Sequence, residues 1–458
     1  MKITPDLLRS FSSSNHPEGE KISHIMAAAL NAVDPFEAVS RSLHLDGRFL
    51  IAGNLTYDLS KFKRIVLVGA GKAAVPMAAS VSQIFGASIT SGLVITKQGY
   101  TQTDNFILQN IRILEAGHPL PDQRGILGSH KIIQLLKSAQ SEDLILCLIS
   151  GGGSALMTAP MPGIQLEEVQ ILTSRLLACG ATIDEINTIR KHIDQVKGGG
   201  LVAQAGQAHW ITLILSDVIG DPLDRIASGP TAPDASTYED AFKILKQYEL
   251  LDQVPGSIIS HLKQGIQTQI PETLKPGHSA FDRVNNMIVG NNYLAADAAL
   301  REASSFGYHT LLLTTSLQGE ASQAGKFIAA IAQQITRSNQ PISRPACLIL
   351  GGETTVTLHG KGCGGRNQEL ALGAVNPIAG LENIFLITLA TDGGDGPTDA
   401  AGAVVTGQTL ARALSLGIHP NDYLTRNDSY HFFQALDDLL KPGPTLTNVG
   451  DLAFLFAC

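Results

Sequence analysis

Apolar runs closed by glycine-bearing loops recur along this chain. Residues 144–149 read Leu-Ile-Leu-Cys-Leu-Ile and open into Ser150-Gly-Gly-Gly-Ser154. A run with no polar alternation suits a parallel strand covered on both faces. Residues 65–68 lead in the same way to Gly69-Ala-Gly71-Lys72, with a helix expected over 73–84. Shorter runs follow at 92–96, 211–215, 287–289, 311–314, 347–350 and 384–389. Between them the period changes to that of helices. Ile22, Met26, Ala29, Leu30 and Val33 share one helical face, and so do Leu166, Val169, Leu172 and Leu176. Ile186, Ile189, Ile193 and Val196 predict a helix carrying Asn187, Arg190, Asp194 and Lys197 as a polar stripe one position over, stopped by Gly198-Gly-Gly200. Ser236 and Glu239 predict a capping box for a helix to about Tyr248. Residues 1–20 read as polar and frayed.

Alternation of strand, glycine loop and helix is the pattern of an α/β protein. At 458 residues the chain exceeds one ordinary domain. We expect two, 1–245 and 246–458, with the boundary inside 235–285 and the N-terminal helix free to pack on either. Each is expected to hold a mostly parallel sheet flanked by helices. Ligands of such sheets sit at the carboxyl ends of the strands, where these loops fall, so a cleft between the domains is the expected active site.

Composition narrows the function classes. Charged residues make up only 16% of the chain, and the net charge of −8 comes with no basic block, which argues against nucleic acid as a partner. The five cysteines form no paired spacing, so reduced thiols in a cytoplasmic protein are expected and a zinc site is not. No signal peptide is evident, and glycines and prolines break the long uncharged stretch from 144 to 166, so no membrane span is expected.

Glycine loops without bulky side chains let backbone N–H groups approach anions, and here they carry single cations. Lys72 stands on a glycine turn at a strand end, a placed cation for a phosphate. Gly69 to Ala74 also fits the permissive dinucleotide pattern G-x-G-x-x-A of a Rossmann-like domain, although its second strand ends at Lys97 with no acid. Gly360-Lys-Gly-Cys-Gly-Gly-Arg366 places one arginine at a helix start, suited to bidentate contact with carboxylate or phosphate. Asp217 and Asp221 follow one strand, Asp392 and Asp395 another. These are candidates for base work and for magnesium, which needs only one or two carboxylates beside phosphates and water. Arg190 and Lys197 are candidates from their helix, and His118 reads as structural.

Taken in order, these motifs resemble those of the glycerate 2-kinase family, a class once labelled hydroxypyruvate reductase. The resemblance is carried by Val68-Gly-Ala-Gly-Lys-Ala73, Gly117-His-Pro-Leu-Pro-Asp122, Ser150-Gly-Gly-Gly-Ser-Ala155, Ile189-Arg-Lys-His192, Lys197-Gly-Gly-Gly200, Leu215-Ser-Asp-Val218, Ala227-Ser-Gly-Pro-Thr231, Gly352-Glu353, Gly364-Gly-Arg-Asn-Gln-Glu369 and Asp392-Gly-Gly-Asp-Gly-Pro397. It implies two α/β domains and phosphorylation of D-glycerate at the 2-hydroxyl by ATP with Mg²⁺, with a homodimer as the assembly to test. By the same resemblance Lys72 and Arg366 lead as catalytic residues, beside Asp217. Ser150, Gly151, Gly152, Gly153, Ser154, Arg190, Lys197, Gly352 and Glu353 are expected to hold nucleotide or glycerate, and Asp392 and Asp395 the metal. The sequence leaves open which loop holds which ligand. Leu446 departs from the family, which tends to read glycine there, and would narrow that side of the cleft. Two other readings stand beside this one: an NADP-dependent hydroxypyruvate reductase using Gly69 to Ala74 as its pyrophosphate turn, and a non-catalytic sensor of sugar acid or nucleotide.

Overall fold

The structure is a computed structural model that describes residues 2–101 and 108–458. The chain forms two units, Ala38–Val289 and a second made of Met1–Glu37 with Gly290–Cys458.

In the first unit the apolar runs become β1 (Arg64–Ala70), β2 (Ile89–Lys97), β3 (Ile111–Ala116), β4 (Asp143–Ile149), β5 (His209–Leu215) and β6 (Val284–Gly290). They lie in the order β3-β2-β1-β4-β5-β6. The pairings β1 with β2, β2 with β3, β1 with β4 and β4 with β5 are all parallel. Every residue of β4 is buried, as its unbroken apolar run requires. The chain leaves β1 toward one edge and returns to β4 on the other side. The strand order therefore reverses between β1 and β4, the switch point at which α/β sheets bind ligands. The loops 71–73 and 150–153 are the two that leave it. A three-stranded antiparallel meander, Leu43–Asp46, Phe49–Ala52 and Leu55–Asp58, precedes this sheet.

Helices explain why the unit runs past residue 245, where the boundary was expected. Ile258 and Leu262 of the helix Gly256–Ile266 join Leu172, Ile186, Ile189, Tyr238 and Leu245 in one apolar cluster, and β6 then closes the sheet edge. Two local expectations shift. The helix predicted through Val196 ends at His192, so Asp194 and Lys197 lie beyond it. The capping box belongs to Thr237 and Asp240, because Ser236 is held by Asp234 instead.

The second unit holds β7 (His309–Leu317), β8 (Ala346–Gly352), β9 (Ile384–Ala390), β10 (Gly402–Thr406), β11 (Leu439–Leu440) and β12 (Asp451–Ala457), in the order β7-β8-β12-β9-β10-β11. This sheet is mixed. β7 and β8 are parallel, but the C-terminal strand β12 enters antiparallel between β8 and β9, and β10 is antiparallel to both of its neighbours. β7, β8, β9 and β11 still point one way, so the strand-end loops gather on one edge as in a parallel sheet.

The N-terminus belongs to this unit. The helix Gly19–Ala32 buries Ile22, Ile25, Met26, Ala29 and Leu30 against the helix Asn292–Ser305, whose buried alanines permit close approach. Residues 2–20 are not frayed as expected. Ser12 donates its backbone N–H and its hydroxyl to the buried Asp438 carboxylate at 2.9 and 2.8 Å, and Arg412 binds the same carboxylate at 2.6 Å while lying over the Phe11 ring. Among the described residues no helix is long and apolar enough to cross a membrane.

Candidate active site

In the first unit two glycine loops interlock at the switch point. Gly71 has φ +144°, and a Cβ there would lie 2.0 Å from Ser150 Oγ and 2.7 Å from Ser150 O. That space is filled because Ser150 Oγ accepts the Ala73 N–H at 3.0 Å, while Gly151 O accepts the Lys72 N–H at 2.9 Å. Lys72 is thereby fixed at the foot of α1 (Ala74–Phe85), its side chain half-buried beside Gly152. Gly152 adopts φ +83° and leaves room for the His118 ring, to which a Cβ would stand within 3.0 Å. Burial, with Lys72 and Lys97 nearby, pushes His118 down to about 4, so its imidazole is neutral at pH 7. Asp217 is half-buried just beyond the end of β5.

Ser154 belongs to a polar chain. Its hydroxyl lies 2.7 Å from Ser228 Oγ, and Ser228 donates to Asn187 Oδ1 at 3.0 Å. Asn187 and Arg190 both project from α2 (Ile183–His192). Lys197, expected to hold nucleotide or glycerate, is bonded within the protein. Its buried ammonium donates to Met157 O at 3.0 Å, Thr158 Oγ1 at 3.3 Å and Asp194 Oδ2 at 2.9 Å, which uses its three N–H bonds. Burial lowers its pKa, and Asp194 opposes that shift. Arg190 differs: among the described residues its guanidinium makes no hydrogen bond and no ion pair within 4 Å. Burial lowers its pKa against the distant pull of Asp194.

In the second unit Arg366 opens α3 (Arg366–Ile378). Its Nε and Nη2 donate to the two oxygens of Asp451 at 2.5 and 3.2 Å, and Nη1 donates to Glu353 at 2.6 Å. Burial acts to lower its pKa, but Asp451 and Glu353 outweigh it, so the charge is firmly held. Asp395 caps the same helix, accepting the Asn367 and Gln368 amides at 3.1 and 2.8 Å, one on each oxygen. It was expected as a metal ligand; it is buried and serves as the helix cap. Burial raises it to about 7 against those amide bonds, with Asp451 adding to the rise. Glu369, also raised to about 7 by burial and by Glu320, stands in the first turn of the same helix. Asp392 is half-buried, and one of its oxygens accepts the Gly394 amide at 3.2 Å. Gly352 was expected to face a ligand, but it serves packing. Its φ is +152°, and a Cβ would lie 2.2 Å from Leu317 O.

Sequence reasoning missed Asp451. It lies 85 residues from Arg366 and belongs to no recurrent spacing. The one available signal was an acid opening an otherwise apolar terminal strand. Leu446 proves unusual in its backbone, with φ +63°, where the glycine of the family pattern is strain-free.

Known proteins resemble this chain over nearly its whole length. Residues 21–263, more than half of the chain, match a domain of unknown function (DUF4147), and residues 346–451 match the MOFRL family. The glycerate 2-kinase of Pyrococcus horikoshii is 40% identical over 429 residues, covering 93% of this chain and 94% of that one. The D-glycerate 2-kinase of Thermotoga maritima is 43% identical over 389 residues, covering 85% of this chain and 89% of that one. The chain belongs to the glycerate kinase family. The crystal structure of Thermotoga maritima glycerate kinase superposes with a TM-score of 0.85 at 40% identity, over 96% of this chain and all of that one (100%). Membership in the glycerate kinase family implies a nucleotide substrate. It also bears on the dinucleotide pattern at Gly69 to Ala74. In a dinucleotide site the second glycine admits the pyrophosphate; in this glycerate kinase chain Ser150 occupies that space, and the Ala73 amide is already bonded.

Proposed function

We propose that this chain is a glycerate 2-kinase, transferring the γ-phosphoryl group of ATP to the 2-hydroxyl of D-glycerate to give 2-phosphoglycerate and ADP. The observation that carries the reading is the pair of relatives named for this activity, at 40% and 43% identity over most of the chain. The blocked dinucleotide turn counts against the alternative, an NADP-dependent hydroxypyruvate reductase.

The 2-hydroxyl oxygen attacks the γ-phosphorus in line. The bond to the β,γ-bridging oxygen breaks, ADP leaves with its electron pair, and the hydroxyl proton passes to the Asp217 carboxylate. Lys72 and Arg366 offset the charge that spreads over the transferring group. Arg366 is held in advance by the Asp451 fork, and the backbone that carries Lys72 is fixed by the bond of its amide to Gly151. Mg²⁺, when bound, neutralises phosphate charge, and the half-exposed Asp392 suits its need for few protein carboxylates better than the capped Asp395. His118, neutral beside Lys72, adds no competing charge. Five free cysteines and the lack of a spanning helix among the described residues are compatible with a cytoplasmic enzyme, and light scattering tests the homodimer.

The test is a coupled assay of the purified protein with D-glycerate, ATP and Mg²⁺, read by phosphorus NMR. A 2-phosphoglycerate signal is expected. A 3-phosphoglycerate signal keeps the kinase and moves the acceptor hydroxyl; NADPH oxidation with hydroxypyruvate, and no ADP, restores the reductase.

A further inference from the structure

Three nitrogen-bearing side chains gather at the carboxyl edge of the first sheet. Lys72 follows β1, Lys97 ends β2 and His118 follows β3. The register sets them level, with Ala70 opposite Ile95 and Lys97 opposite Ala116. Neighbouring strands lie about 4.8 Å apart, so the two lysines leave the sheet one step from each other. A Cβ on Gly152 would stand 3.0 Å from His118 Nε2 and 3.6 Å from Lys72 Cγ, so the ring and the lysine stem meet over that glycine. Among the described residues neither ammonium makes a hydrogen bond or an ion pair within 4 Å, and neither ring nitrogen of His118 makes a hydrogen bond. Lys97 lies over the Tyr100 ring at 5.2 Å.

The acids closest along these strands are engaged elsewhere. Glu115 accepts the Gly99 amide at 2.9 Å and the Thr101 hydroxyl at 3.1 Å. Asp122 accepts the Gly125 amide at 2.9 Å and Arg124 Nε at 2.7 Å. Two positive charges therefore stand uncompensated. His118 registers both, since after burial the next causes of its fall to about 4 are Lys72 and Lys97. The ring stays neutral and offers one N–H beside the two ammonium groups.

This donor set discriminates between the two substrates. Glycerate carries one negative charge and hydroxyl protons that need acceptors. A nucleotide's phosphate chain carries several negative charges and accepts at every oxygen. Two ammonium point charges and an imidazole N–H, with no free carboxylate among them, complement the phosphate chain. Position agrees. Asp217, the proposed acceptor of the hydroxyl proton, follows β5, on the far side of β4 from both lysines.

We infer that Lys97 and His118, together with Lys72, form the subsite for the phosphate chain of the nucleotide. This rests on the kinase reading for the identity of that nucleotide. It makes His118 a binding residue, where the sequence suggested a structural one.

The test measures ADP and AMP binding by titration calorimetry with Mg²⁺ and without glycerate, and KM for ATP and for D-glycerate. The proteins are the wild type, Lys97→Ala, Lys97→Arg, His118→Ala and His118→Gln. Lys97 is partly exposed and in no ion pair, so Lys97→Ala should melt with the wild type. In Lys97→Ala the Kd for ADP and the KM for ATP should rise about 10-fold or more, the scale of one lost charge-assisted contact, with the KM for glycerate within about twofold. Lys97→Arg should recover most of the loss. His118→Ala should weaken ADP several-fold, and His118→Gln, which keeps an N–H, by less. AMP, with a single phosphate, should lose less than ADP in Lys97→Ala. The inference is overturned if the wild type binds no ADP, if Lys97→Ala or a folded His118→Ala binds it normally, or if the KM for glycerate rises in place of that for ATP. Failure of the kinase reading looks different: ADP binding still depends on Lys97, and no 2-phosphoglycerate forms.

Discussion

The two units answer the same demand, a cation at the end of a strand, in opposite ways. In the first unit Lys72 and Arg190 stand in no ion pair among the described residues, whereas Lys197 is tied down by backbone and Asp194. In the second unit Arg366 sits in an acidic nest of Asp451 and Glu353, with Asp395 capping its helix and Glu369 in the first turn. The first arrangement leaves positive charge open for an anion. The second spends it on orientation, with Asp451 and Glu353 fixing the guanidinium. Identical-looking glycine loops thus conceal two electrostatic designs, one open and one clamped.

The largest effect should come from removing the cations themselves. Lys72→Ala and Arg366→Ala are each expected to lower kcat about 10²–10³-fold, the scale of losing one preorganised charge-stabilising donor. Steady-state kinetics with circular dichroism checks that the fold persists; near-normal kcat in both would remove them from the mechanism.

The clamp predicts a further asymmetry. Asp451→Asn should cost on the order of 2 kcal/mol of stability, since Arg366 loses its forked partner and keeps only Glu353, and lower kcat about 10–100-fold. In an Arg366→Ala background the same change should cost little further kcat, because Asp451 acts through the arginine. Additive losses would show that the two act separately.

The units should also respond to pH with opposite sign. Asp395 and Glu369 are raised to about 7, so their contribution is fully present below the unfolded values near 4 and is lost as pH rises through 7. Asp143 in the first unit is the reverse case. Burial opposes ionisation there, but the Arg64 fork at 3.0 and 2.5 Å outweighs it and lowers the pKa, so that contribution exists above about 4 and is lost in acid. Calorimetry from pH 5 to 8 should show stability falling with pH, and the double variant Asp395→Asn/Glu369→Gln should flatten that slope. An unchanged slope would reject the assignment.

The smallest effect concerns Leu446. Replacing it with glycine should gain a few tenths of a kcal/mol, the relief of a left-handed leucine less the added freedom of the unfolded chain, read as a slight rise in melting temperature. A loss would mean that its side-chain packing matters more than its backbone.

Much of this was legible in advance because local chemistry dictates it. An apolar run with no alternation must be a doubly covered strand, and β4 is one. Arg366 at a helix start followed from four glycines giving way to a helical period. What was not legible depended on partners distant in sequence. Asp194 and Lys197 looked like a helical stripe because their spacing fits one, yet Asp194 turns back to accept the Ala159 and Val196 amides. Asp395 read as a metal candidate because it follows a strand together with Asp392, whereas the helix it caps starts 29 residues earlier in the chain. Antiparallel entry of β12 left no mark either, since a buried central strand reads the same in both directions.

The interlock of Gly71 with residue 150 sets how this protein can be redesigned. The obstacle to a side chain at position 71 is partly the Ser150 hydroxyl, but also the Ser150 carbonyl oxygen, 2.7 Å from where a Cβ would sit. Trimming Ser150 to alanine removes the first and not the second. The binding loops are therefore written in two scripts. Serines and cations are editable letters, open to libraries seeking new acceptors. Gly71 is part of the page itself, and a library should hold it fixed while varying the pocket around it.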